Sequence, residues 1–440
     1  MKFLIKKIYI ILFSSITLLY ATQILASDNQ IEYKRENISN YFLGIVSVSQ
    51  NYNEKALKHL KKVQSIKNKH SQFNIEFIRT LVFLEKFDQA FSFSKTIWSE
   101  EEFFFETDLL LGLNSFIQKD YTNAEKYFKR LNKLSRHNLV FDNFIGNILI
   151  AWIRAEQGNK KSSFEILKKI PGPYHHLTKM QYIFLQCYFD ENETSNSFEK
   201  LIKEKEYNFS RYNFFLVNYL LSKNETEKAQ KTLQASLKKN ESNLLLKQTS
   251  KFFIDKKGKK ILNFFNCNNP QDALSEFFYV LANLYSTEED FQLSNFYLKI
   301  SLFLNKKFLT NKALLAENLY YQERYTEAEH VYNSLKSIGS IYSWHASKNI
   351  ASISIIKKGK EYAIKKLEKD FNLIKNKNFV HYYELANIYK DNNYFEKSIK
   401  YYSLALKKIN KNHFLFPKIL HRRGTSYEKV GDWKNAEKDL

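Results

Sequence analysis

Asp120-Tyr121-Thr122-Asn123-Ala124 is the stretch from which the fold is read. A polar residue, an aromatic, two more polar residues and an alanine follow one another. The same order returns at Lys86-Phe87-Asp88-Gln89-Ala90, Arg324-Tyr325-Thr326-Glu327-Ala328 and Asp432-Trp433-Lys434-Asn435-Ala436. Twelve residues before the alanine a small residue recurs, supplied by Gly112, Ala316 and Gly424, with Ile78 departing from the rule. The pairs Gly44 with Ala56, Ala151 with Ser163, Ala282 with Ser294, Ala351 with Ala363 and Ala386 with Ser398 extend the series. Ala56, Ala90 and Ala124 stand 34 residues apart, as do Ser294 and Ala328. Two helices cross closely only where small side chains meet, since larger ones hold the axes beyond the ~8–10 Å usual for helix packing. A hairpin of two such helices cannot bury its whole apolar face, so neighbours must stack.

Composition agrees with helices. The 440-residue chain holds only 10 Gly and 4 Pro, which leaves little from which to build hairpin-rich sandwiches or glycine-lined phosphate loops. Its 38 Phe and 29 Tyr give every helix bulky groups to bury. The balance of 68 Lys plus Arg against 46 Asp plus Glu is +22. Only nine of the cations are arginine, and Arg422-Arg423 is their one adjacent pair. Phosphate recognition favours the arginine fork, so this lysine skew reads as compositional bias, able to attract anionic surfaces weakly and in a salt-dependent way.

Residues 1–27 have the three parts of an export signal: Lys2, Lys6 and Lys7, an uncharged stretch from Ile8 to Leu25, then Ala26-Ser27. Cleavage and retention as an anchor both stay open, because Ile24 or Leu25 stands where a small residue is usual. The remainder is expected to be exported and periplasmic, with a membrane reached only through that segment if it is uncleaved. Cys187 and Cys267 lie 80 residues apart, two repeats by the period above. That separation is expected to exceed what a disulfide spans, leaving two inert thiols.

The repeat resembles the tetratricopeptide repeat, on Leu111-Gly112 with Ala124 and Phe128, Leu281-Ala282-Tyr285 with Leu298, Leu315-Ala316 with Ala328 and Tyr332, Leu385-Ala386-Tyr389 with Tyr402 and Ala405, and Gly424-Tyr427 with Ala436. The layout is also similar to exported repeat proteins of alphaproteobacteria. The resemblance implies an all-α, right-handed α-solenoid of antiparallel helix pairs, about ten or eleven repeats. Residues 28–240 form an amino-terminal array, 241–273 a degenerate repeat or irregular linker, and 274–440 a carboxy-terminal array whose last repeat is incomplete at Leu440. The family's turn proline is missing throughout, and Pro171-Gly172-Pro173 reads as a joint.

No serine-histidine-acid context, phosphate loop or histidine pair with metal spacing is found, so no catalytic residue, cofactor or metal is expected. His175-His176 reads as a loop, and Glu100-Glu101-Glu102 as acidic charge near a helix N-terminus. What the resemblance offers is a concave face of first-helix positions. In the first half it maps to Arg79, Phe116, Trp152, Tyr182, Gln186, Arg211 and Asn218. In the second half it maps to Tyr279, Asn283, Glu317, Tyr320, Trp344, Tyr383 and Asn387. Asparagines there suit the backbone of an extended peptide, and aromatics supply stacking area. A basic clamp for a terminal carboxylate is lacking, since Tyr279 stands one turn before Asn283. The function expected is a non-enzymatic scaffold for a protein or peptide partner, with no nucleic acid. The alternatives are a nucleic-acid-binding helical repeat and the recruiting arm of an enzyme whose catalytic domain lies beyond Leu440.

Overall fold

The computed structural model describes residues 34–67, 70–102, 104–135, 144–170, 172, 175–204 and 208–440. The export signal at 1–27 and both prolines of the Pro171-Gly172-Pro173 joint lie outside the described residues. Every regular element among those described is helical, as the composition requires. The chain divides into two compact units, residues 1–178 and 179–440.

The first unit stacks four helix pairs: α1 (Arg35–Ser49) with α2 (Asn53–Leu60), α3 (Ser71–Phe83) with α4 (Phe87–Ile97), α5 (Phe105–Ile117) with α6 (Tyr121–Ser135), and α7 (Phe144–Glu156) with α8 (Lys160–Lys168). The division falls in the first turn of α9 (His175–Tyr188), so His175 and His176 open a helix and are not a loop. In the second unit α9 pairs with α10 (Thr194–Lys203), and α11 (Tyr212–Ser222) with α12 (Thr226–Lys239). After α13 (Leu244–Ile254) and the single turn α14 (Lys259–Leu262), the regular pairs resume. These are α15 (Pro270–Thr287) with α16 (Phe291–Leu304), α17 (Lys312–Tyr321) with α18 (Tyr325–Leu335), and α19 (Ser340–Lys358) with α20 (Lys360–Asn372). The last two pairs are α21 (Phe379–Asp391) with α22 (Phe395–Lys408), and α23 (Leu415–Lys429) with α24 (Trp433–Asp439).

The quoted stretch folds as its residues dictate. Asp120 caps α6, its carboxylate accepting from the Asn123 backbone N–H at 3.2 Å and side-chain amide at 2.7 Å. Asp432 and Asn435 repeat both bonds at α24. Ala56, Ala90, Ala124, Ser163, Ser294, Ala328, Ala363 and Ser398 have no exposure at all. Their opposite number is partly different from the one the period implies. Ser294 Oγ donates to the carbonyl of Ala282 at 2.7 Å, so the second small residue lies against backbone. A Cβ at Gly112 would fall 2.2 Å from the Phe128 ring, and one at Gly44 2.5 Å from Leu60. The glycines thus make room for the large residue one turn further along the second helix.

The turn inside each pair carries a second signature. The backbone crosses to positive φ at Asn51, Glu85, Lys119, Gly158, Asp190, Asn224, Lys256, Glu289, Glu323, Gly359, Asn393 and Gly431, once per pair. Except at Gly359, the following N–H bonds the carbonyl five residues back, as in Tyr52 to Ser47 at 2.7 Å and Asp120 to Ser115 at 2.9 Å, a Schellman closure. Lys257 bonds Phe252 in the same way at 2.7 Å. That closure gives 241–273 the same turn as the regular pairs, between α13 and α14, with Ile261 buried in the slot others give to Ala or Ser. The segment lies inside the second unit and is held there by Asn218 and Asn305 from either side.

The cysteine expectation is overturned. Cys187 and Cys267 form a disulfide with their Cα atoms 5.7 Å apart. The period misleads because α14 is only one turn long, after which the chain runs back to α9. Phe265 fits between Phe184 and Phe215, with ring centroids 5.1 and 4.7 Å away, and brings Cys267 to Cys187.

Two outcomes are expected. Gly112→Ala should cost about 1–3 kcal/mol, read as a lower urea midpoint, since Phe128 is fully buried; an unchanged midpoint would mean that the ring can move aside. Reducing the disulfide should cost about 2–4 kcal/mol because it closes a long loop, and a thiol assay on the unfolded, unreduced chain should find no free sulfhydryl.

Candidate functional site

First helices of neighbouring pairs meet directly at α1 with α3, α3 with α5 and α11 with α13, and Ser286 on α15 bonds Asn318 on α17 at 2.7 Å, so facing residues there form a strip. In the first unit most of that strip is consumed. Arg79 on α3 reaches Glu106 on α5 at 2.6 Å, with side-chain exposures of 22% and 5%. Phe116 and Trp152 are core residues, Trp152 with no exposure and Phe116 stacked edge-on to Tyr121. Beside them lies an unforeseen staple. Arg130 pairs with Asp108 at 3.0 Å and donates to the carbonyls of Ser99, Glu100 and Glu102. The three-glutamate run is therefore a tethered loop ahead of α5, and Trp98 Nε1 adds a bond to Asp108 at 3.0 Å.

In the second unit Tyr182 is half-buried, and the side-chain oxygen of Gln186 is buried without a hydrogen-bond partner among the described residues. Asn218 does hold peptide backbone, but the chain's own: its amide donates to the Ile261 carbonyl at 2.9 Å. Asn305 holds the Phe264 carbonyl likewise at 2.9 Å, and Phe264 sits 6.1 Å from Phe308, which stacks on Phe214. The degenerate pair thus occupies a cradle of asparagines and aromatics such as an outside peptide would use.

Arg211 locks the entrance to that cradle. It forms a bidentate pair with Glu276 at 2.7 and 2.8 Å, donates to Asn311 at 2.7 Å, and lies 3.9 Å over the Tyr279 ring. The carboxyl of Glu276 has no exposure, so removing Arg211 would strand a buried charge, a strongly destabilising change. Helix α13 reaches further. Gln248, 1% exposed, accepts from the Ile341 N–H at 3.0 Å, and a Cβ at Gly339 would meet its amide at 2.3 Å. Lys247, its pKa lowered by burial, stands near Glu384, which also takes Lys348 at 2.6 Å and Trp344 Nε1 at 2.6 Å. Sequence patterns give no sign of Gln248 or Lys247, whose partners Ile341 and Glu384 are far along the chain.

Further along, Tyr383 is buried against Tyr402, and Asn387 is satisfied by Tyr402 Oη at 2.7 Å and Arg422 at 3.0 Å. Of the mapped residues, Asn283 stays exposed, while Tyr320 and Glu317 are half-exposed. Glu317 lies 3.9 Å from His345 and within electrostatic reach of Tyr279, Tyr332 and Tyr342. Partial burial raises its carboxyl. Burial first and Lys348 second push His345 down to about 4, so at neutral pH it offers Glu317 no charge. Among the described residues no group of three histidine, cysteine or acidic side chains could hold a metal ion, and no helix is long and apolar enough to cross a membrane.

Residues 382–408, most of α21 and all of α22, match the tetratricopeptide repeat family. No curated protein matches the chain. Among solved structures it is similar to a chain of the APC/C hetero-tetramer Cut9-Hcn1, at 13% identity and TM-score 0.31, over 95% of this chain and 87% of that one. A tetratricopeptide repeat protein from Parabacteroides merdae aligns at 16% identity and TM-score 0.28, over 56% of this chain and 98% of the other. A chain of the Naa15/Naa10 complex bound to HypK-THB follows at 14% and 0.24, over 91% and 67%. These likenesses are too distant to carry function.

His345 supplies a test of this geometry. Its folded pKa lies below the ordinary 6.5, so the unfolded chain binds the extra proton and stability falls as pH drops from about 6.5 to 4. His345→Gln should remove up to about 3 kcal/mol of that loss, seen by comparing urea unfolding of both proteins at pH 7 and pH 4.5.

Proposed function

We propose that the chain is a non-enzymatic scaffold of the exported alphaproteobacterial repeat type, binding a protein or peptide along the accessible part of its second-unit strip and serving an envelope assembly. The observation that carries this reading is the run of Asn283, Glu317 and Tyr320 on α15 and α17, left accessible where most other mapped positions are spent on internal contacts. A hydrogen-bonding amide, a tyrosine and a carboxylate without a cationic partner suit a polypeptide. The disulfide supports an oxidising, exported location, since such bonds are rare where thiols are kept reduced. Use of the strip by nucleic acid is disfavoured by the arginines. Among the described residues seven of eight are engaged by carboxylates: Arg79, Arg130, Arg154, Arg211, Arg324, Arg422 and Arg423. Little guanidinium is left for phosphates.

Photo-crosslinking residues at Asn283 and Tyr320 should capture a defined protein in intact envelopes, and one at exposed Lys365 on α20 should not. Tyr320→Ala should weaken the captured partner about tenfold. Equal capture at all three positions, or none at the first two, would sink the proposal.

A further inference from the structure

Glu317 joins two properties that no internal contact explains. Its side chain is 44% accessible, yet the protein around it raises its carboxyl by burial, as at the floor of an open hollow. Among the described residues neither of its oxygens takes a hydrogen bond, and no lysine or arginine pairs with it. Rings line the hollow. His345 Nε2 on α19 lies 3.9 Å from the carboxylate, and its ring is 6.0 Å from that of Tyr332 on α18. Tyr332 and Tyr342 are buried, Tyr279 on α15 is half-buried, and all three lie within electrostatic reach of Glu317.

Cations on the neighbouring helices are already spent, Arg211 on Glu276 and Lys348 on Glu384. The first of these pairs shows how such a group is filled. Glu276 takes Arg211 through two bonds at 2.7 and 2.8 Å, with the guanidinium 3.9 Å over the Tyr279 ring. Glu317 has the carboxylate and the rings of that arrangement and lacks the cation.

Taking Asn283, Glu317 and Tyr320 as the peptide-binding strip proposed above, we infer that Glu317 receives a basic side chain, arginine or lysine, of the bound polypeptide. A carboxylate with both oxygens open accepts the guanidinium fork or an ammonium, and tyrosine faces attract either cation. Docking gives the half-buried carboxylate the charged hydrogen bonds that the chain itself does not supply. The excess of 68 Lys plus Arg over 46 Asp plus Glu repels cations at long range. Recognition is therefore local: one basic residue at a fixed distance from those that meet Asn283 and Tyr320, and not a polybasic ligand.

Phage-displayed random peptides are selected on the full chain and on Glu317→Gln and Glu317→Lys variants that still melt cooperatively. Binders that lose affinity on Tyr320→Ala are those that use the strip. Strip binders of the parent should align on one arginine or lysine. Replacing that residue by norleucine should weaken binding to the parent about tenfold and leave binding to Glu317→Gln unchanged, the coupling expected of a direct pair. Glu317→Lys should select an aspartate or glutamate at the same position. Strip binders without a fixed basic residue, or basic peptides held equally by the parent and Glu317→Gln, overturn the assignment of Glu317 and leave the peptide-binding strip standing. If no binder responds to Tyr320→Ala, both fall.

Discussion

Two polypeptide backbones can approach within a hairpin only where the atoms between them are few, and everything else in this molecule follows from keeping that approach at each pair. Ala, Ser and Gly sit at the crossings with almost no exposure. The approach leaves a groove beside each crossing, and a large residue one turn on, Leu60 or Phe128, fills it. Because the filler is bulky and the crossing residue small, pairs alternate thick and thin along their length and lock into one register with their neighbours. The turn that joins the helices contributes a fixed geometry of its own, closed by one N–H reaching five residues back. Neither element needs glycine in quantity, which is how an aromatic-rich chain with so few glycines forms the array.

The second unit shows what happens when one pair loses half its length. With α14 cut to a single turn, the groove it would have filled needs other occupants, and the following residues supply Phe264 and Phe265. Their carbonyls and flanking groups would be unsatisfied in that apolar setting, at a cost comparable to a lost hydrogen bond each. Asn218 and Asn305 meet that need. Arg211 and Glu276 add a charged pair whose burial is made tolerable by its bidentate geometry, with Asn311 taking a further donor and Tyr279 the face of the guanidinium. The cradle is therefore an internal repair, and Asn283, Glu317 and Tyr320 on α15 and α17 stay accessible beside it.

The helix pairs were readable from Ala56, Ala90, Ala124 and Ala328 because their burial is dictated by contacts within one pair, which a period of 34 reports directly. The strip was less readable for the same reason. A tyrosine or tryptophan at a facing position has the composition of both a binding surface and a core, and only the neighbouring pair decides, so Trp152 and Tyr383 went inward while Tyr320 did not. Asn218 carries an amide that holds backbone, but its acceptor is the chain's own Ile261 carbonyl, 43 residues away, which no local pattern reports. Cys187 and Cys267 were misjudged since counting repeats assumes each has full length. The turn residues Glu85, Lys119 and Glu323 gave no signal at all, being charged side chains in a conformation usually marked by glycine or asparagine.

The reach of α13 has a consequence in time as well as space. A plain stack can fold as it is made, each pair settling on the one before. Gln248 cannot do so, for the backbone it holds, Ile341, is 93 residues downstream, and Arg211 waits as long for Asn311. During synthesis the chain between them must be complete before either side chain finds its partner. The second unit therefore finishes as a single late event, with its apolar middle open in the interval, whereas the first unit can be assembled piece by piece.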